Sequence, residues 1–117
     1  MNIPRPGEDS KKFFKSILPD DSRVSVRLVF GNDAAFVNGN MFVGLWGNDL
    51  FLRLSDDDRK ELLKKEGATN FEPMKGRPMK GYTLIPRTWK TQPQVLRRWV
   101  TRSLDWASEL PAKKAKR

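Results

Sequence analysis

Polar and apolar positions change period several times along the chain, and each change marks an element. Phe13, Phe14, Ile17 and Leu18 share one side of a 3.6-residue repeat. They predict a helix capped by Asp9 or Ser10 and ended by Pro19-Asp20-Asp21. Val24, Val26, Leu28 and Phe30 then alternate with Ser25, Arg27 and Val29, the period of a half-buried strand. Gly31-Asn32-Asp33 predicts a turn. Residues 34–37 and 40–46 flank Asn38-Gly39, the pair that best tolerates the positive φ angles of a type I′ hairpin. That turn sets Val37 opposite Asn40, Phe36 opposite Met41 and Ala35 opposite Phe42. One hairpin face then carries Phe36, Met41, Val43 and Leu45, and the other carries Phe42 and Trp46 with Gly44 between them. Both faces are apolar, so both are expected to be covered, one of them by a partner molecule.

Gly47-Asn48-Asp49 turns the chain again into Leu50, Leu52 and Leu54, completing a meander of four antiparallel strands. Ser55 followed by Asp58 resembles a capping box and opens a helix through Lys65, with Leu62 and Leu63 inward and Gly67 at its C-cap. Residues 68–78 read as irregular, residues 79–85 as a further strand, and Pro86 as its stop. Pro93 starts a final helix, with Leu96, Trp99, Val100 and Leu104 inward and Arg97, Arg98 and Arg102 on the far side. The pattern predicts one α+β domain: helix, antiparallel β-meander, helix, strand and long C-terminal helix. Residues 1–9 are expected as an extended lead-in, 10–111 as the domain and 112–117 as a disordered basic tail.

Composition narrows the chemistry. The 117 residues include no Cys and no His. Disulfides, thiol nucleophiles and Cys-ligated metals are thereby excluded, and so is the side chain that most often moves protons near neutral pH. No apolar run approaches the roughly 20 residues of a membrane span, and no leader pattern opens the chain, so a cytoplasmic protein is expected. The net charge of +9 is unevenly distributed: residues 73–104 hold eight bases and no acid, whereas residues 1–72 are close to neutral. A one-sided field of this kind attracts anionic partners, with nucleic acid the leading case.

Three runs carry a family likeness. The segments Ala35-Phe36-Val37-Asn38-Gly39-Asn40-Met41-Phe42 and Gly44-Leu45-Trp46-Gly47-Asn48-Asp49-Leu50, with the later Gly76-Arg77-Pro78-Met79-Lys80-Gly81-Tyr82, resemble the TfoX N-terminal domain family over residues 10–111. The family usually has a second Gly where this chain has Asn32, and Asn, which tolerates left-handed conformations, is expected to serve the same tight turn. The resemblance implies a secretion-chaperone-like α+β fold, no catalytic residue and no cofactor. It also implies a regulatory role exercised through partner proteins, as in the longer competence regulators, whose second helical domain lies outside the likeness.

The candidate binding residues are Arg77, Lys80, Arg87, Trp89, Phe42 and Trp46. Arg77 and Lys80 lie between Gly76 and Gly81, but the segment runs into a strand and not into the helix that a phosphate loop opens. Trp89, between Arg87 and Lys90 in an expected loop, is the tryptophan expected to be exposed. Asp56, Asp57 and Asp58 read as helix-start carboxylates and not as a metal site. No nucleophile or acid–base set is legible. The sequence therefore predicts a non-catalytic interaction domain that binds a protein partner or a second copy of itself, with no metal. The alternative is weak, non-specific nucleic-acid binding through residues 73–104 and the tail.

Overall fold

A computed structural model describes residues 3–74 and 76–112. In chain order the elements are α1 (Glu8–Ile17), β1 (Val24–Val29), β2 (Asn32–Val37), β3 (Asn40–Trp46), β4 (Asp49–Arg53), α2 (Asp56–Leu63), β5 (Thr69–Asn70), β6 (Tyr82–Leu84) and α3 (Pro93–Ser108), with a 3₁₀ turn at Arg87–Thr91 before α3. The strands form one antiparallel sheet in the order β1-β2-β3-β4-β6-β5. The meander, the two flanking helices and the long last helix agree with the expected order. Most of the expected tail, residues 113–117, lies outside the described residues.

The core sits between the sheet and α3. Leu96, Trp99, Val100, Leu104 and Ala107 of α3 pack on Ala35, Val37, Phe42, Val43 and Leu52, with Phe14 and Ile17 of α1 alongside. Pro93 occupies the first turn of α3, where its missing N–H costs nothing. At α2, the Ser55 hydroxyl accepts from the Asp58 N–H at 3.3 Å, and three aspartates lie in the first turn. The Asp56–Asp58 cluster is thus occupied in starting a helix: Asp56 pairs with Arg59 and Asp58 with Arg102. α2 stops at Leu63 with Lys64 as its cap, earlier than expected, and Gly67 follows at φ +91°.

Four local expectations are corrected. First, α1 begins at Glu8 with Gly7 as N-cap, because Asn48 in the β3–β4 turn accepts from both the Gly7 N–H (3.0 Å) and the Ser10 hydroxyl (2.8 Å). Second, the β1–β2 turn is Phe30-Gly31, with Val29 opposite Asn32. Asn32 is therefore not a turn residue. It is a buried strand residue whose amide donates to the Pro4 and Phe30 carbonyls (2.9 and 3.3 Å) and accepts from the Gly47 N–H (2.9 Å), tying the lead-in to two turns.

The third correction concerns register. Val37 faces Asn40 and Phe36 faces Met41 as expected, but Ala35 faces Val43, leaving Phe42 without a counterpart on β2. This β-bulge brings Phe42 and Val43 together into the α3-side core, whereas strict alternation assigns them to opposite faces. It also leaves the Phe42 carbonyl to be satisfied from outside the ladder, and the Ser103 hydroxyl lies 2.7 Å from it and 2.6 Å from the Arg53 carbonyl. Fourth, the last predicted strand shortens to β6, because the Met79 N–H turns back to the Phe71 carbonyl at 2.9 Å and Gly81 takes φ +89°.

Candidate functional site

The sheet face turned away from α3 is apolar as well, and no long helix of the described residues covers it. Ala34, Met41, Trp46 and Phe51 line it, with Val29 at the β1 end. Phe51 lies flat because its cross-strand neighbour is Gly44, where an added Cβ would come 2.6 Å from the ring. Phe71 stacks on that ring at 4.4 Å and meets Trp46 edge-on at 5.7 Å. The remaining walls come from Ile3 in the lead-in and from Pro73, Met74 and Met79 in the segment between β5 and β6. Together they enclose a hollow of about 170 Å³ whose lining is almost wholly apolar. That is close to the roughly 150 Å³ of an engineered cavity that stays dry and accepts a benzene ring.

Phe30 and Met74 stand at this hollow with 69% and 38% of their surfaces exposed. Phe30 is also strained. Its φ is +52°, the left-handed region that the first position of a type I′ turn requires and that a bulky residue disfavours. Asn38, in the equivalent place of the next hairpin at φ +51°, is the residue type that suits it. The exposed Phe30 ring gains little burial to offset the strain.

Around the hollow the charge is positive. Arg5 packs its guanidinium against Gly31, and Arg27 lies over the Phe36 ring at 4.0 Å, two residues along β1 from Val29. Arg77 is bridged to Met74, its N–H bonding the Met74 carbonyl at 2.8 Å, and Lys80 follows Met79. All four are exposed, and among the described residues none is within ion-pair distance of a carboxylate. Glu72, the acid on the same segment, accepts from the Gly76 N–H at 2.7 Å. Behind the hollow, the Tyr82 hydroxyl donates to the Met41 carbonyl at 3.2 Å, and burial raises its pKa above the ordinary value.

The six predicted site residues divide. Trp46, Arg77 and Lys80 come together at this hollow or on the segment that walls it. Phe42 does not: the bulge buries it completely on the opposite face. Trp89 is not exposed either, because the 3₁₀ turn directs it inward to stack near Trp99 at 6.2 Å with only 8% of its surface accessible. Arg87 is exposed but committed to Asp49 through two hydrogen bonds of 2.8 and 3.1 Å, which raise its pKa. Arg102, on α3, is engaged by Glu61 and Asp58. Sequence reasoning missed Phe30, Met74 and Met79. The available signal was an aromatic residue immediately before a turn glycine, and methionines in a segment otherwise read as irregular.

Compared with known protein families, residues 17–107 match the TfoX N-terminal domain. The matched span runs from the end of α1 to the last turn of α3 and contains every hollow-lining residue except Ile3. No curated protein matches the chain. No helix among the described residues is long and apolar enough to cross a membrane.

Proposed function

The chain belongs to the TfoX N-terminal domain family, and from that premise we propose a non-catalytic regulatory domain that works by binding a protein partner through the hollow. The family is non-enzymatic, and the competence-related regulation it suggests supports a role for the binding in transcriptional control. One observation carries the reading: an apolar hollow on a sheet face that loops cover only in part, with a strained and exposed Phe30 at its edge. Strain kept at a solvent-facing aromatic suits a residue that is buried only when something docks. Direct nucleic-acid binding through residues 73–104 is less well supported, since Arg87 and Arg102 already hold carboxylate partners.

The test is site-specific photocrosslinking in cells, with a photoreactive phenylalanine analogue at position 30 and a control probe at position 64 on the far end of α2. The expected outcome is one discrete, nuclease-resistant protein adduct at position 30 and none at position 64. An adduct that nuclease removes, or equal labelling at both positions, would overturn the proposal.

A further inference from the structure

The size and surroundings of the hollow define what it can take. We infer that the segment docking there is an acidic peptide presenting one aromatic or large aliphatic side chain, an inference that rests on the hollow being a protein-binding site. A space of about 170 Å³ holds a single large side chain and not the apolar face of a helix, which needs a groove for several anchors. The walls present an almost wholly apolar surface, and Trp46 is the one wall residue whose side chain carries an N–H donor. A nucleobase inserted there would leave most of its edge groups unpaired, at a cost that a phenyl or leucyl side chain does not meet. Met41, Met74 and Met79 give the walls adjustable shape, as suits a pocket that takes more than one kind of apolar anchor.

The flanking preference follows from charge. Arg5 packs at Gly31 beside Phe30, Arg27 pairs across from Ala34, Arg77 is bridged to Met74 and Lys80 adjoins Met79, and none of the four has a carboxylate partner among the described residues. By contrast Arg23, Arg59, Arg87 and Arg102, placed elsewhere, each have one. Glu72, which accepts from the Gly76 N–H, offsets one of these charges, and Asp33 alternates to the opposite face of β2 from Ala34, so the rim keeps an excess of positive charge. Carboxylates on either side of the anchor would meet these four cations and speed association while fixing orientation.

A random twelve-residue phage-displayed library selected against the full chain tests this, followed by fluorescence titration of the enriched peptides. The expected motif is one aromatic or large aliphatic residue with two or more acidic neighbours, and its affinity should fall as salt rises. Arg77→Glu combined with Lys80→Glu should weaken these peptides about tenfold, an effect of roughly one charge pair or two at an exposed rim. Phe30→Asn should also weaken them about tenfold while raising the melting temperature, because Asn accepts the left-handed turn position. That opposite pair of effects separates a binding role from a structural one. Enriched anchors without an acidic excess, or affinities unmoved by the double reversal, would overturn this inference and leave the protein-binding reading standing. Enrichment of no peptide, or of peptides indifferent to Phe30→Asn, would overturn both.

Discussion

Asn32 is the position where the structure departs furthest from its sequence reading, and Asn32→Asp tests the new account. The substitution is nearly isosteric, so it opens no cavity. It keeps the acceptor that serves the Gly47 N–H but removes both donors, setting an acidic oxygen against the Pro4 and Phe30 carbonyls at 1% exposure. Losing two neutral hydrogen bonds costs about 1–3 kcal/mol. Charge burial adds to this, up to a ceiling set by protonation. A carboxyl with an ordinary pKa near 3.9 can be neutralised at pH 7 for about 4 kcal/mol, and neutral it regains one donor. The destabilisation at pH 7 should therefore be roughly 3–5 kcal/mol. The sign with pH follows: the new carboxyl has a raised folded-state pKa, so the deficit grows as pH rises above about 4 and shrinks toward about 1–2 kcal/mol below it. Urea denaturation of wild type and variant at pH 4 and pH 7 measures both numbers. A deficit under about 1 kcal/mol, the same at both pH values, would refute the three-way tie and return Asn32 to a solvated turn.

Ser103→Ala should destabilise by about 1–3 kcal/mol, because it removes the one hydroxyl proton that serves the Phe42 and Arg53 carbonyls; thermal unfolding should record a loss of several degrees, and Ser103→Thr tests whether the hydroxyl or the volume matters. Gly39→Val should cost about 1–3 kcal/mol, since Gly39 sits at φ +77°, and an unchanged melting temperature would contradict the hairpin geometry. Asp21 should titrate at about 2 in a carboxyl-detected NMR experiment, held down first by the side-chain hydrogen bond from Arg23. Its folded-state pKa is lowered, so whatever stability it adds is present above about pH 4 and fades as pH falls toward 2; Arg23→Gln should bring the titration back to the ordinary range.

Much of the architecture was legible because it depends on short-range regularities. The period-2 runs of β1 to β4, the Asn38-Gly39 pair and the stripe from Leu96 to Leu104 each record a local choice of backbone, and the fold uses all of them. Strict alternation was followed until Phe42, where it failed. One extra residue in β3 reverses the facing of everything before it, and nothing in the sequence between Met41 and Val43 marks the insertion. What permits it is Ser103, some sixty residues later, whose hydroxyl reaches the freed carbonyl. Asn32 followed the same course: a turn-forming residue type by propensity, it is drawn into a strand by Pro4 and Gly47, partners that no local window contains.

The candidate site divides along the same line. Composition alone removed thiol and imidazole chemistry, and the charge count singled out residues 73–104 as a stretch with bases and no acid. Which bases are free was a tertiary matter, since Arg87 is held by Asp49 and Arg102 by Glu61, each across dozens of residues, while Arg77 and Lys80 have no such partner among the described residues. The hollow itself is assembled from Ile3, four strands and the segment from Phe71 to Met79, and its depth depends on Phe71 lying flat against Phe51. The sequence determined that both faces of this sheet are apolar, because alternation with too few polar residues allows nothing else. Only the tertiary structure decided that α3 fills one face and that the other, covered by loops too irregular to pack it fully, keeps a space the size of one side chain.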